Sequence, residues 1–278
     1  MKILITGGAG YIGSYMTKKF SDIPEVKSIT CLDNLFFNQN FQISSSKIKS
    51  IKIDVRDQDK MKNYYKSHDI IIPLAALVGA PICKKYPKET KEINFEVVKH
   101  MCKSLSNSQI VIMPVSNSGY GIGAKDKFCD ENSPLKPISL YGRTKVMAED
   151  AIMQRQNSVS FRLATVFGVS DRMRIDLLVN NFTYIAYFDK ILKIFEPHFR
   201  RNYIHISDIF KAFNFTIKNF NQLKGEIFNL GLSDANLTKE QLCKEIQKII
   251  PDFKYIISKD GTDEDKRDYF VSNKKMKI

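Results

Sequence analysis

The sequence predicts an α/β fold: a doubly wound parallel sheet with helices on both faces, joined to a smaller mixed α/β lobe. Two observations carry this. From residue 2 to about residue 167, short apolar runs alternate with helix-period stretches, the order that parallel strands with crossover helices require. The first of these units, residues 2 to 33, places a glycine-rich turn between its strand and its helix. Past residue 167 the alternation loosens, so the expected division is 1–167 for the larger domain and 168–278 for a smaller lobe interwoven with it. No low-complexity linker separates them.

Ile3-Leu4-Ile5 reads as the first strand, and Gly7-Gly8-Ala9-Gly10-Tyr11-Ile12-Gly13 follows at once. Gly7 permits a turn that a residue with a Cβ resists. Gly10 lets backbone N–H groups approach a pyrophosphate, and Gly13 lets the next helix pack on the sheet. The N-terminus of that helix, at Tyr11 and Ile12, is then an anion site. Tyr11, Ile12, Tyr15, Met16 and Phe20 recur at helical spacing up to Pro24, and residues 28 to 32 read as a second strand ending in Asp33, twenty residues beyond Gly13. An acid there accepts hydrogen bonds from adenosine ribose hydroxyls and repels a 2′-phosphate, so the expected cofactor is NAD rather than NADP.

Residues 51 to 55 read as a third strand, with Asp54 and Val55 where an adenine ring is met. Asp57 caps a helix reaching Tyr65. Residues 70 to 76 form a continuous apolar run, a buried parallel strand whose end, Leu74-Ala75-Ala76, leaves room for a dinucleotide. A long helix is expected from 88 to 105, then a strand from Ile110 to Val115 ending at Ser116, a helix from 139 to 155 and a sixth strand from 159 to 163. The second half opens on a basic loop with Arg172 and Arg174. Helices are expected near 175–188, 207–220 and 238–250, and strands at 227–229 and 253–257.

The 278 residues, 43% of them hydrophobic, suffice for one large core and a smaller one. No apolar run reaches the length of a membrane span, and the opening one is too short for a secretory leader. Five scattered cysteines without a Cys-x-x-Cys pair read as reduced thiols of a cytoplasmic protein, with no metal site. The net charge of +13 comes from lysines mixed with acids, a solvated face, and no nucleic-acid-reading motif accompanies it.

Chemistry is concentrated at Ser116, Tyr141 and Lys145. In Tyr141-Gly142-Arg143-Thr144-Lys145 a phenol and an ammonium stand four residues apart, on one face of a helix. The ammonium stabilises the phenolate and draws the tyrosine toward the working range of a general base. A hydroxyl at the strand end, Ser116, can bind the same substrate oxygen. Together these describe alcohol oxidation, with the proton passing to Tyr141 and the hydride to NAD.

On the glycine motif, Asp33-Asn34-Leu35, Asp54-Val55, Leu74-Ala75-Ala76, residues 116 to 121, 141 to 145 and 162 to 168, and Arg201-Asn202-Tyr203-Ile204-His205, the chain resembles an extended short-chain dehydrogenase/reductase. The resemblance is to the NAD-dependent sugar-nucleotide epimerases and dehydratases, and it covers nearly the whole length. It implies a Rossmann-like domain that binds NAD, Asn94 supporting the active-site helix, and a second half that holds a nucleoside-diphosphate sugar. By the same resemblance Arg201 matches a diphosphate-binding arginine, with Asn180 and Arg267 as weaker matches on the substrate side. Thr165 stands where relatives often carry an asparagine. A homodimer is also implied, through the helices at 88–105 and 139–155.

Asn117 and Ser118, placed with the substrate, occupy the positions where 4,6-dehydratases carry an Asp-Glu pair, and neither can move a proton at C5 or C6. Oxidation at C4 is what remains. If the hydride returns, the enzyme is a 4-epimerase; if the keto sugar leaves, it is a 4-dehydrogenase. Likeness to enzymes acting on GDP-activated heptoses for bacterial capsule polysaccharide favours the latter. An alternative of another class, a non-catalytic NAD-binding regulator, is opposed by the intact Ser116, Tyr141 and Lys145.

Overall fold

The computed structural model describes residues 1–41, 43–123, 127–259 and 268–276. Seven parallel strands form the central sheet, in the spatial order Ile227–Leu230, Ser158–Leu163, Ile110–Ser116, Ile70–Pro73, Lys2–Thr6, Ser28–Asp33, Ile48–Lys52. The chain starts near the middle, builds outward to Ile48–Lys52, then returns past the first strand and builds the other way. The reversal lies between Lys2–Thr6 and Ile70–Pro73, and ligands of doubly wound sheets bind at the carboxyl end of that crevice.

Alternation along each strand buries both faces. Ile3, Ile5, Ile70, Ile72 and Ile112 face a core shared with Met16, Phe20, Phe161 and Phe213. Leu4, Ile71, Val111 and Met113 face the other, shared with Met61, Tyr65, Val98 and Ile152. With both faces covered, the strands read as continuous apolar runs rather than as alternating ones.

Three expected elements are displaced, shortened or broken. The third strand is Ile48–Lys52, not 51–55, because its register is set by Ser28–Asp33. Asp33 pairs with Lys52, and Ile53 N–H donates the last rung to Asp33 O at 2.9 Å, so Asp54 and Val55 lie beyond the sheet. The fourth strand stops at Pro73, where the ring removes a donor. The expected long helix is broken into Pro87–Lys91, a π-helical turn Glu92–Glu96 and Val97–Ser104, preceded by a short helix Ala80–Lys85.

Beyond residue 168 the chain returns to the large sheet. Ile227–Leu230 forms its edge, and the helix Ile206–Lys218 packs on the first helix, Tyr11–Ser21, with the rings of Phe20 and Phe210 5.1 Å apart. The remainder builds a three-stranded sheet of Thr165–Phe167, Arg200–His205 and Asn236–Thr238, and a parallel pair of Ile191–Phe195 with Lys254–Ser258. All five cysteines are free, and among the described residues no helix is long and apolar enough to cross a membrane.

A buried ion pair ties the helix Leu140–Met153 to the sheet. Arg162 on Ser158–Leu163 donates to Glu149 through Nε at 3.0 Å and Nη2 at 2.7 Å, and Ser160 Oγ donates to the second carboxylate oxygen at 2.8 Å. Arg162 Nη1 also donates to the Tyr120 hydroxyl, which in turn bonds Asn229 Oδ1 at 2.7 Å on the edge strand. Removing one partner strands the other charge in the core. Glu149→Ala should therefore cost about 3–5 kcal/mol, seen as a lowered urea midpoint, whereas an exposed pair such as Lys62–Asp59 should cost little when broken.

Candidate active site

A cavity of about 860 Å³ opens at the carboxyl ends of the strands, at the reversal of strand order. Gly7, Gly10, Tyr11 and Ile12 line it on one side. Gly7 has φ +74°, and a Cβ there would lie 2.7 Å from Ala75 N; one on Gly13 would lie 2.1 Å from Gly7 O. The helix begins at Tyr11 with Gly10 as its N-cap, so no side chain satisfies the first-turn N–H groups. These bare donors beside a side-chain-free turn fit a dinucleotide's pyrophosphate.

Asp33, at the end of the second strand, also lines the cavity. Its carboxylate accepts from Ala9 N at 3.1 Å, Leu35 N at 2.8 Å and Gln39 Nε2 at 3.1 Å. Burial pushes its carboxyl above the usual range, opposed by the N–H groups of Leu35 and Ala9 and by the Arg172 guanidinium. Further donors such as ribose hydroxyls are thus welcome there. Asn34, Val55, Phe36 and Phe37 line this end. Asp54 stands behind Asn34, accepting from Asn34 Nδ2 at 3.1 Å, and Arg56 holds its carboxyl down at about 2.

Leu74, Ala75 and Ala76 line the middle of the cavity, followed by Leu77, whose backbone Asn94 grips from both sides. Asn94 Oδ1 accepts from Leu77 N and Nδ2 donates to Leu77 O, each at 2.9 Å, and Nδ2 lies 3.4 Å from Thr144 Oγ1 on the helix Leu140–Met153. The π-turn supplies this reach. Asn94 acts through what it holds and does not itself line the cavity.

At the far end Ser116, Tyr141 and Lys145 line one wall. Ser139 caps their helix, accepting from Gly142 N at 3.1 Å. Ser116 Oγ accepts from Ser118 N at 3.2 Å, which leaves its proton available to a substrate oxygen. Lys145 is 5% exposed, and Nζ donates to Pro114 O at 3.4 Å. Burial pulls its ammonium down from 10.5 to about 8, with the Cys83 thiol opposing weakly.

The substrate-side candidates separate. Thr165 and Arg201 line the cavity, Arg201 being buried with Nη1 donating to Arg200 O at 2.8 Å. Asn180 lies behind the wall, accepting from Gly168 N at 3.1 Å and donating to the Tyr11 hydroxyl at 3.3 Å. Asn117 and Ser118 are each 1% exposed, without hydrogen-bond partners for their side chains and outside the described cavity wall. Arg267 falls outside the described residues. Lys239, which sequence reasoning missed, lines the cavity with Arg201 while its Nζ donates to Phe195 O at 2.9 Å. In the sequence it is an ordinary lysine at a helix start, and only the pairing of Arg200 with Thr238 brings it inward.

Sheet order, glycine turn and the Ser-Tyr-Lys wall together define a dinucleotide-dependent oxidoreductase of the doubly wound class. Residues 3–231 match the model of the NAD dependent epimerase/dehydratase family, and the chain belongs to that family. It is 27% identical over 252 residues to a putative UDP-glucose 4-epimerase of Methanocaldococcus jannaschii, covering 86% of this chain and 79% of that one. It is 25% identical over 236 residues to protein CapI of Staphylococcus aureus, covering 78% and 70%. The crystal structure of a Thermotoga maritima UDP-glucose 4-epimerase with UDP-glucose superimposes with a TM-score of 0.82 at 22% identity, over 99% of this chain and 91% of that one.

The buried ammonium costs stability. An unfolded lysine keeps its proton up to about 10.5 and the folded one loses it near 8, so the penalty is complete below pH 8 and fades as pH rises toward 10.5. It amounts to something on the order of 3 kcal/mol. Lys145→Met should therefore melt higher than the native protein at pH 7, with the gap closing in alkaline buffer.

Proposed function

We propose that the protein oxidises the C4 hydroxyl of a nucleoside-diphosphate sugar with NAD. The composition of the cavity wall carries this reading. Ser116, Tyr141 and Lys145 meet there, while among the described lining residues there is no His, Glu or Cys, and the carboxylates are Asp33 at the adenosine end and Asp176, paired with Arg174. Removing water across C5 and C6, or inverting C3 and C5, needs a further acid and base beside the sugar. Among the described lining residues the phenols are Tyr11, Tyr141 and Tyr269; Tyr11 donates its hydroxyl proton to Gly168 O, and Tyr141 is the one that shares its helix with Lys145.

NAD, when bound, supplies the hydride acceptor. Tyr141, as phenolate, takes the hydroxyl proton; the Lys145 ammonium holds the phenolate charge; the Ser116 hydroxyl donates to the substrate oxygen and fixes its position. Arg201 and Lys239 suit the diphosphate, Arg201 through a planar fork matched to phosphate oxygens. The names of the relatives favour returning the hydride, a 4-epimerase. Sequence likeness to GDP-heptose enzymes supports release of the keto sugar, a 4-dehydrogenase of surface polysaccharide synthesis. The reading includes a homodimer through the helices Val97–Ser104 and Leu140–Met153.

Tyr141→Phe should lower turnover by roughly 10²–10⁴-fold while NAD affinity stays within a factor of about two. Full activity in that variant would remove Tyr141 as the base. With UDP-, GDP-, CDP- and dTDP-sugars, accumulating reduced nicotinamide with a keto product would identify the dehydrogenase. A new sugar isomer without net reduction would identify the epimerase. Because Lys145 must stay charged, kcat/KM should fall as pH rises through the titration of its ammonium, which burial lowers and a Tyr141 phenolate raises, and Lys145→Arg should flatten that limb.

A further inference from the structure

Residues 168 to 177 leave the strand Thr165–Phe167 and are fastened to the first helix. The Tyr11 hydroxyl donates to Gly168 O at 2.7 Å, Ser170 Oγ donates to Tyr11 O at 2.7 Å, the Ser14 and Ser170 hydroxyls lie 2.9 Å apart, and Lys18 pairs with Asp171 at 3.3 Å. This segment brings Arg172 and Arg174 to the cavity wall beside the glycine turn. Arg172 lies over the Phe37 ring at 5.6 Å and within charge range of Asp33; Arg174 is forked onto Asp176 and within charge range of Tyr11. Two guanidiniums thus share one paired carboxylate, and Arg172, half-buried, makes no ion pair among the described residues.

We infer that Arg172, seconded by Arg174, binds the diphosphate of the dinucleotide, so that the smaller lobe clamps the cofactor against the glycine turn. The assignment rests on the NAD reading of this cavity. Position selects the cofactor's diphosphate over the sugar nucleotide's: Asp33 and Phe37 on one side and Tyr11 on the other bracket the stretch between adenosine and the glycine turn, whereas Arg201 and Lys239 come from the strands and helix of the smaller lobe. The helix N-terminus contributes only partial positive charge. A guanidinium that has lost solvent and faces another gains most from an anion set between them. Gripped from both lobes, the cofactor stays bound through a cycle, the condition under which the hydride returns to the sugar.

The test compares the native protein with Arg172→Ala, Arg172→Gln and Arg174→Ala by titration with NADH, ADP, adenosine and UDP. Arg172→Ala and Arg172→Gln should each weaken NADH and ADP by about tenfold or more, Arg174→Ala by less, with adenosine and UDP unchanged. Equal loss for adenosine would assign Arg172 to ring packing on Phe37 and overturn the proposal. So would loss for UDP with NADH unchanged, which would move the pair to the sugar nucleotide. If the native protein binds NADH and the variants match it, only this assignment fails; if the native protein binds no NADH, the cofactor reading fails with it.

Discussion

Gly7 sits with its backbone against the Leu74–Ala75 peptide at a distance that no Cβ allows, and Gly13 packs as tightly on Gly7 O. These contacts lock the first strand, the first helix and the end of the fourth strand into one block at the point where the sheet reverses. Every other part of the site is placed relative to that block. Asp33 reaches it because the second strand runs in register with the first, and its carboxylate then holds the Ala9 N–H of the same turn. The cost of excluding side chains here is a bare helix N-terminus, and that bare end is what can receive a diphosphate.

The wall of Ser116, Tyr141 and Lys145 is held by different means. Its helix must carry Lys145 deep in the protein with no carboxylate beside it among the described residues, which opposes folding. The Glu149–Arg162 pair, one turn further along the same helix, opposes that penalty by fixing the helix to the sheet, and it extends through Tyr120 to Asn229 on the last strand. Asn94 adds a second brace, joining the Leu77 backbone to Thr144. An unpaired buried ammonium is thus tolerated because its neighbours on the helix are fully bonded.

Much of this was legible in the sequence, and the boundary of legibility has physical causes. Strands buried on both faces announce themselves as apolar runs, and Asp33, Ser116, Tyr141 and Lys145 are singled out only by spacing combined with the glycine motif and the order of strands and helices. The third strand is displaced because it lies at the sheet edge with exposed lysines, where hydropathy is weak and register with Ser28–Asp33 decides. The π-turn at Asn94 is set by a side chain gripping a distant backbone, which periodicity does not encode. Lys239 and Arg172 look like any surface cation until strand pairing and the hydroxyl contacts of Tyr11 and Ser170 turn them inward.

The division of charge along the cavity accounts for the restraint of the chemistry. Of its acids, Asp176 is already matched by Arg174 and Asp33 lies where the proposed adenosine would meet it, and its cations other than Lys145, which are Arg172, Arg174, Arg201 and Lys239, are the groups proposed for the two diphosphates. The lining also contains small groups, Ser116, Ser139, Ala164 and Thr165, that leave room beside Tyr141 and Lys145. On the proposed function Tyr141 is the phenol that exchanges a proton with the sugar hydroxyl. On that same proposal, binding energy spent at two diphosphates and proton exchange carried by Tyr141 suit the movement of a hydride at one carbon of the sugar.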